Sequence, residues 1–99
     1  MMRIKKSELT GAALDWAVAK CEGVVYHGPA WTKYSTDWAQ GGPIIEREGV
    51  EIKPTYAGWT AFLGHVLFAN GPTPLIAAMR CYVASKLGDD IDIPEELTP

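Results

Sequence analysis

Apolar residues recur at helical spacing in three stretches, each fenced by capping residues. Leu14, Ala17, Val18 and Cys21 follow the i, i+3, i+4, i+7 rule and predict a first helix over Gly11 to Glu22. Thr10 stands at its N-cap and Gly23 is a left-handed stop. A second helix is expected from a Ser35 or Thr36 cap to about Glu48, ended by Gly49. Asp37 falls in its first turn, where a carboxylate suits the macrodipole. Pro43, after Gly41-Gly42, cannot donate to a carbonyl one turn earlier, so a kink or a fresh start is expected there. The third stretch, about Pro74 to Leu87, is apolar nearly all round: Leu75, Ile76, Met79, Tyr82, Val83 and Leu87. That pattern predicts a largely buried helix, stopped by Gly88.

Between the helices the period changes. Arg3 to Lys5 suits a short first strand, and Val24-Val25-Tyr26 has strand propensity until His27-Gly28-Pro29 breaks it. Ala30 to Tyr34 reads as loop. Val50 to Lys53 alternates weakly as a strand, Pro54 to Gly58 as a turn, and Trp59 to Leu63 as a strand. Val66 to Phe68 is the expected hairpin partner, with Gly64 near the bend. Asn70 to Pro74 forms a rigid turn, and Ile91 and Ile93 around Asp92 suit a last edge strand. Short strands alternating with three helices predict an α+β fold. The expected form is a small, mainly antiparallel sheet with the helices packed on it as a layered α-β-α sandwich.

Ninety-nine residues, 47% hydrophobic and 21% charged, suit one globular domain over 1–99 and exclude wholesale disorder. A net charge of -3 argues against non-specific nucleic-acid binding, which rests on cations neutralising phosphates. The longest apolar stretch, Ala61 to Ala69, is interrupted by Gly64 and His65 and falls short of the roughly 20 residues of a membrane span. No apolar secretory core follows the basic start, so export is not expected. Arg3, Lys5 and Lys6 at one end and Asp89, Asp90, Asp92, Glu95 and Glu96 at the other would attract if the fold joined them. Cys21 and Cys81 lack a second ligand at metal spacing and read as reduced, buried small hydrophobes.

No phosphate-binding loop, dinucleotide fingerprint, zinc-protease motif or nucleophile elbow occurs, and His27 and His65 stand alone. Aromatic rings outside the helices are more informative: Trp31, Tyr34, Trp38, Tyr56 and Trp59. They either plug the core edges or form a stacking pocket, where a flat ring contributes roughly 1–3 kcal/mol per base. Tyr34 to Pro43 is densest in donors and acceptors. Its Ser35, Thr36 and Asp37 suit either a capped helix start or a ligand loop. Thr73 offers the same choice at the third helix. Arg80 precedes any other charge in that helix and shares a face with Thr73, Ala77 and Ala84; Asp37 or Glu46, or a ligand phosphate, would be its partner. Asp37, Glu46, Glu48 and Glu51 could instead gather around a divalent ion, although Glu46 and Glu48 point to different faces of one helix.

Three segments carry a resemblance: Leu9 to Lys20, Tyr34 to Glu48, and Gly71 to Ser85. In these the chain resembles the NinX-like family of small proteins from lambdoid phages and prophages. It is more distantly similar to phage α-β-α sandwich domains, which pair a Tyr-Ser-Thr-Asp helix start with a Pro-introduced, Ala-rich third helix. The resemblance implies a protein made in the host cytoplasm during infection, and brings no activity or catalytic residues with it.

The expected function is therefore non-enzymatic, without cofactor or metal. It is binding of a small anionic ligand, a nucleotide-type host immune signal, as a sequestering, anti-defence sponge. Trp31, Trp38 or Trp59 would stack on the base. Ser35, Thr36 and Thr73 would contact ribose or phosphate, and Arg47 or Arg80 would pair with charge; Tyr34 and Asp37 complete the set. The alternative is a protein-interaction module acting on a host or phage protein through the same rings. Homo-oligomerisation is expected under both, because so small a core stabilises little by itself.

Overall fold

Helix α3 (Pro74–Leu87) carries buried residues on every side, from Leu75 through Ala77, Met79, Cys81 and Tyr82 to Ala84. It is the centre of the molecule. The structure, a computed structural model, describes residues 1–64 and 67–98. Ahead of α3 come β1 (Met2–Lys5), α1 (Gly11–Glu22), α2 (Trp38–Glu48), β2 (Glu51–Thr55), β3 (Gly58–Leu63) and β4 (Leu67–Gly71); β5 (Asp90–Ile93) follows it. All strand pairs are antiparallel, as expected for the α+β class, but they form two sheets, β2-β3-β4 and β1-β5. Helix α3 touches each strand of the larger sheet and also α1 and α2. Ala61 and Ala69, opposite each other in β3 and β4, bring that sheet close to it. Gly71 makes the closest approach: a Cβ there would lie 2.6 Å from the Ala77 nitrogen.

Helix boundaries follow the caps. Gly23 (φ 71°) donates to Lys20 O and Val24 to Ala19 O, a Schellman ending that uses the Val24 N–H. The strand expected at Val24-Val25-Tyr26 does not form. One of its donors belongs to the α1 terminus, no strand pairs with it, and Val24 and Val25 are exposed. Helix α2 is capped by Asp37, whose Oδ1 accepts the Ala39 N–H at 2.9 Å, and not by Ser35 or Thr36. The Thr36 and Asp37 N–H groups turn back onto Lys33 O, and the Ser35 N–H goes to Asp15 Oδ1 at 2.8 Å. Helix α2 also runs unbroken through Pro43. Gly42 presents no Cβ to the proline ring, and Ala39, whose carbonyl loses its partner, is exposed to water.

Strand β2 continues through Pro54 to Thr55, leaving a two-residue turn, Tyr56-Ala57, closed by the Thr55–Gly58 pair. Pro54 is tolerated because β2 is an edge strand. Asn70 and Gly71 belong to β4, so the rigid turn before α3 shortens to Pro72-Thr73. Gly64 bends after β3 with φ 68°; His65 and Val66 lie outside the described residues. The charged ends do meet: Arg3 pairs with Asp92 at 3.3 Å and Lys6 with Asp89 at 3.2 Å, flanking the β1–β5 ladder. Among the described residues no helix is long and apolar enough to cross a membrane.

Candidate functional site

The residues singled out in the sequence divide between two hollows, with several elsewhere. The larger, about 560 Å³, opens where the β2–β3 turn meets the end of β4. Tyr56, Trp59, Thr60, Asn70, Pro72 and Arg80 are among its lining residues. Its volume suits a small-molecule site. Tyr56 is fully exposed on the two-residue turn, whereas Trp59 is half-buried against the core. Thr60 and Asn70 face each other across β3 and β4, and the Thr60 hydroxyl donates to Asn70 Oδ1 at 2.6 Å.

Arg80 is the main charge there. Its Nε donates to Leu9 O at 2.7 Å and its Nη1 to Asn70 O at 3.0 Å. The expected carboxylate partner is absent: neither Asp37 nor Glu46 pairs with it, nor does any other carboxylate among the described residues. Two backbone carbonyls hold the guanidinium instead, and burial holds its pKa below the usual arginine value. A planar fork suits this arrangement, since carbonyl dipoles fix it without cancelling its charge.

The smaller hollow, about 220 Å³, lies between the starts of α2 and α3 and is lined by Ser35, Thr36, Trp38, Thr73, Pro74, Leu75 and Ile76. Thr73 caps α3 by accepting the Ile76 N–H at 3.1 Å. Ser35 is 1% exposed, with its hydroxyl shut off from solvent. Asp15, which accepts the Ser35 N–H, is also buried; desolvation raises its pKa above the ordinary aspartate value, with Ser35 drawing it partway back. Helices α2 and α3 sit tightly here: a Cβ on Gly41 would strike Tyr34 O and lie 2.7 Å from Leu75 Cδ1.

The remaining residues lie apart. Arg47 is engaged with the protein's own acids, Glu22 at 2.9 and 2.7 Å and Glu48 at 2.9 Å, and is not free to meet a ligand charge. Tyr34 packs against the core and Asp37 is consumed as a cap. Trp31, 76% exposed, stands with His27 on a separate open surface. Its loop is clasped by Gln40, which donates to Trp31 O at 2.9 Å and accepts the Lys33 N–H at 2.7 Å. Among the described residues no three His, Cys, Asp or Glu side chains are placed to share a cation, so Asp37, Glu46, Glu48 and Glu51 form no such cluster. Cys81 is fully buried, but Cys21 is only partly so. Sequence reasoning passed over Thr60, and weighed Asn70 and Pro72 only as parts of the turn into α3. The signal available was the Thr60–Asn70 pairing that the hairpin register creates.

No curated protein matches the chain. A family model described as "Bacteriophage P22, NinX" matches residues 5–86, a stretch that holds both hollows and everything from α1 to the penultimate residue of α3. The chain belongs to this phage NinX family.

Proposed function

We propose that the protein binds a small anionic ligand of nucleotide type in the Trp59–Arg80 hollow and does not transform it. The observation that carries this reading is Arg80: a partly buried cation, tethered by carbonyls, without a carboxylate partner among the described residues, on the wall of a hollow large enough for a nucleotide. Trp59 and Tyr56 supply apolar faces for a base, and Thr60 and Asn70 supply polar atoms for its edge or ribose. In a phage family member the fitting ligand is a nucleotide signal of host immunity, held out of circulation in the host cytoplasm.

Calorimetry and thermal shift against a panel of cyclic and linear nucleotides test the reading. Binding that Arg80→Ala and Trp59→Ala weaken supports it; no stabilisation by any nucleotide removes it.

A second reading is favoured by the segment from Val24 to Trp31, which lines neither hollow. Val24, Val25 and Trp31 are 51%, 71% and 76% exposed, and large apolar and aromatic side chains of this kind anchor protein contacts. Copies of the chain, or a host or phage protein, would meet there. A stoichiometric partner from infected cells, lost on Trp31→Ala with the fold intact, would favour this module; a homo-oligomer that Trp31→Ala dissociates would assign the face to self-assembly.

A further inference from the structure

Resting on the nucleotide reading of the Trp59–Arg80 hollow, we propose that its ligand has two bases joined by a single phosphodiester, and that the second base lies on the outer face of the β2-β3-β4 sheet. Ala61 and Ala69 are buried on the face of the sheet that packs on α3. Their neighbours in β3 and β4 therefore face away from α3, in two successive cross-strand rungs. The first rung is Thr60–Asn70, which lines the hollow. The second is Phe62–Phe68, two residues or about 6.8 Å further along the strands. Phe68 is 50% exposed, the two ring centroids lie 6.4 Å apart, and neither ring belongs to the core. A base stacked on this rung lies within one extended nucleotide step of a base in the hollow.

Charge selects the linkage. The free edge of β4 carries a cation at each rung: Arg80 Nη1 donates to Asn70 O at 3.0 Å, and Lys6 Nζ to Phe68 O at 2.6 Å. Lys6 is already paired with Asp89 at 3.2 Å. On β2, Glu51 and Lys53 share the outer face and offset each other. Arg80 alone is left without a counter-charge among the described residues, and its Nη2 has no hydrogen-bond partner there. One uncompensated cation beside the first rung matches one phosphodiester, which is a monoanion at neutral pH. A terminal phosphate or a triphosphate brings more charge, and no other lysine or arginine among the described residues lines the hollow to meet it. The same asymmetry runs the sugar-phosphate link along the β4 edge and away from Glu51.

Adenylyl-3′,5′-adenosine (ApA) is a fitting probe, because stacking on a ring tolerates any base, with AMP and tetra-adenylate beside it. In an amide-resolved NMR titration of the full chain, ApA is expected to saturate and to shift Thr60, Asn70, Phe62 and Phe68 together. AMP should shift the hollow alone and bind at least about fivefold more weakly, the lower end of what one stacked base contributes. Phe68→Ala, at an exposed position, should weaken ApA by at least the same factor of about five and leave AMP unchanged; Phe68→Trp should restore ApA. Arg80→Ala should weaken both. Tetra-adenylate should gain only the statistical factor of its extra registers, which separates a free dinucleotide from a segment of a longer strand. AMP held in the hollow with ApA no tighter, or ApA indifferent to Phe68→Ala, overturns the two-base site and leaves the hollow reading standing. A larger gain by tetra-adenylate, with shifts beyond the two rungs, overturns it in favour of a strand-binding face. Shifts confined to Phe62 and Phe68 and indifferent to Arg80→Ala overturn both the two-base site and the hollow reading. No binding of ApA overturns the proposal, and the wider nucleotide panel then decides the hollow reading by itself.

Discussion

The Tyr82 hydroxyl, on α3, donates to the Glu22 carboxylate in the last turn of α1. Arg47 of α2 grips the same carboxylate with both terminal nitrogens, so one acid ties the three helices together. Arg47 is the largest influence holding the Glu22 pKa below its ordinary value of 4.5, and Tyr82 adds to it. A lowered carboxyl pKa gives stability that is complete above the unfolded value and is lost as pH falls through the folded one. The melting temperature should therefore drop on acidification below about pH 4.5. Glu22→Gln should start lower at pH 7 and lose less in acid, as a thermal melt series would show.

Asp15 has the reverse sign. Its pKa is raised by burial, so the native state holds the proton longer than the unfolded chain. Its contribution is full below the ordinary value of 3.8 and declines as pH rises through the raised one. Asp15→Asn keeps an acceptor for the Ser35 N–H and removes the buried charge. It should be at least as stable as the parent at pH 7, with the gain shrinking toward pH 4. A loss of stability at pH 7 would contradict this account.

Two neighbouring positions in α2 should respond oppositely. Gly41→Ala forces a methyl against Tyr34 O and Leu75, and overpacking of this kind costs about 1–3 kcal/mol. Pro43→Ala restores a donor to an exposed helix interior and should stabilise by about 1 kcal/mol or more. Urea unfolding of the pair measures both.

Arg80→Lys retains the charge but not the fork that reaches Leu9 O and Asn70 O together. A loss of about 1–3 kcal/mol in stability is expected, with weaker nucleotide binding. Unchanged stability would mean that the two carbonyl contacts hold nothing in place.

The Cys21 thiol is pushed up to about 11 by burial, with Glu22 beside it, and burial likewise raises Cys81. Neither supplies much thiolate at neutral pH. Alkylation of the native protein by iodoacetamide at pH 7 should be slow, and fast once it is unfolded.

The helices that the sequence predicts best are those with local punctuation. Thr10 and Gly23 bound α1, and Thr73-Pro74 and Gly88 bound α3, at the expected residues. Val24-Val25-Tyr26 misled because strand propensity needs a neighbouring strand, and the α1 ending had already taken a donor. The division of the strands into two sheets was not legible either, since β1 meets β5 across nearly the whole chain. The exposed Trp31, Trp38 and Tyr56 agree with rings left outside the core, yet they lie on different surfaces. Arg80 was recognisable as unusual. Its partners were not, because a main-chain oxygen leaves no mark on composition or spacing.

The β1–β5 ladder has a consequence for synthesis. Met2 is polymerised long before Ile93, its cross-strand neighbour. A nascent chain can assemble its hairpin sheet and helices while β1 is still an unpaired ribbon, and the last knot is tied only once Ile93 has emerged.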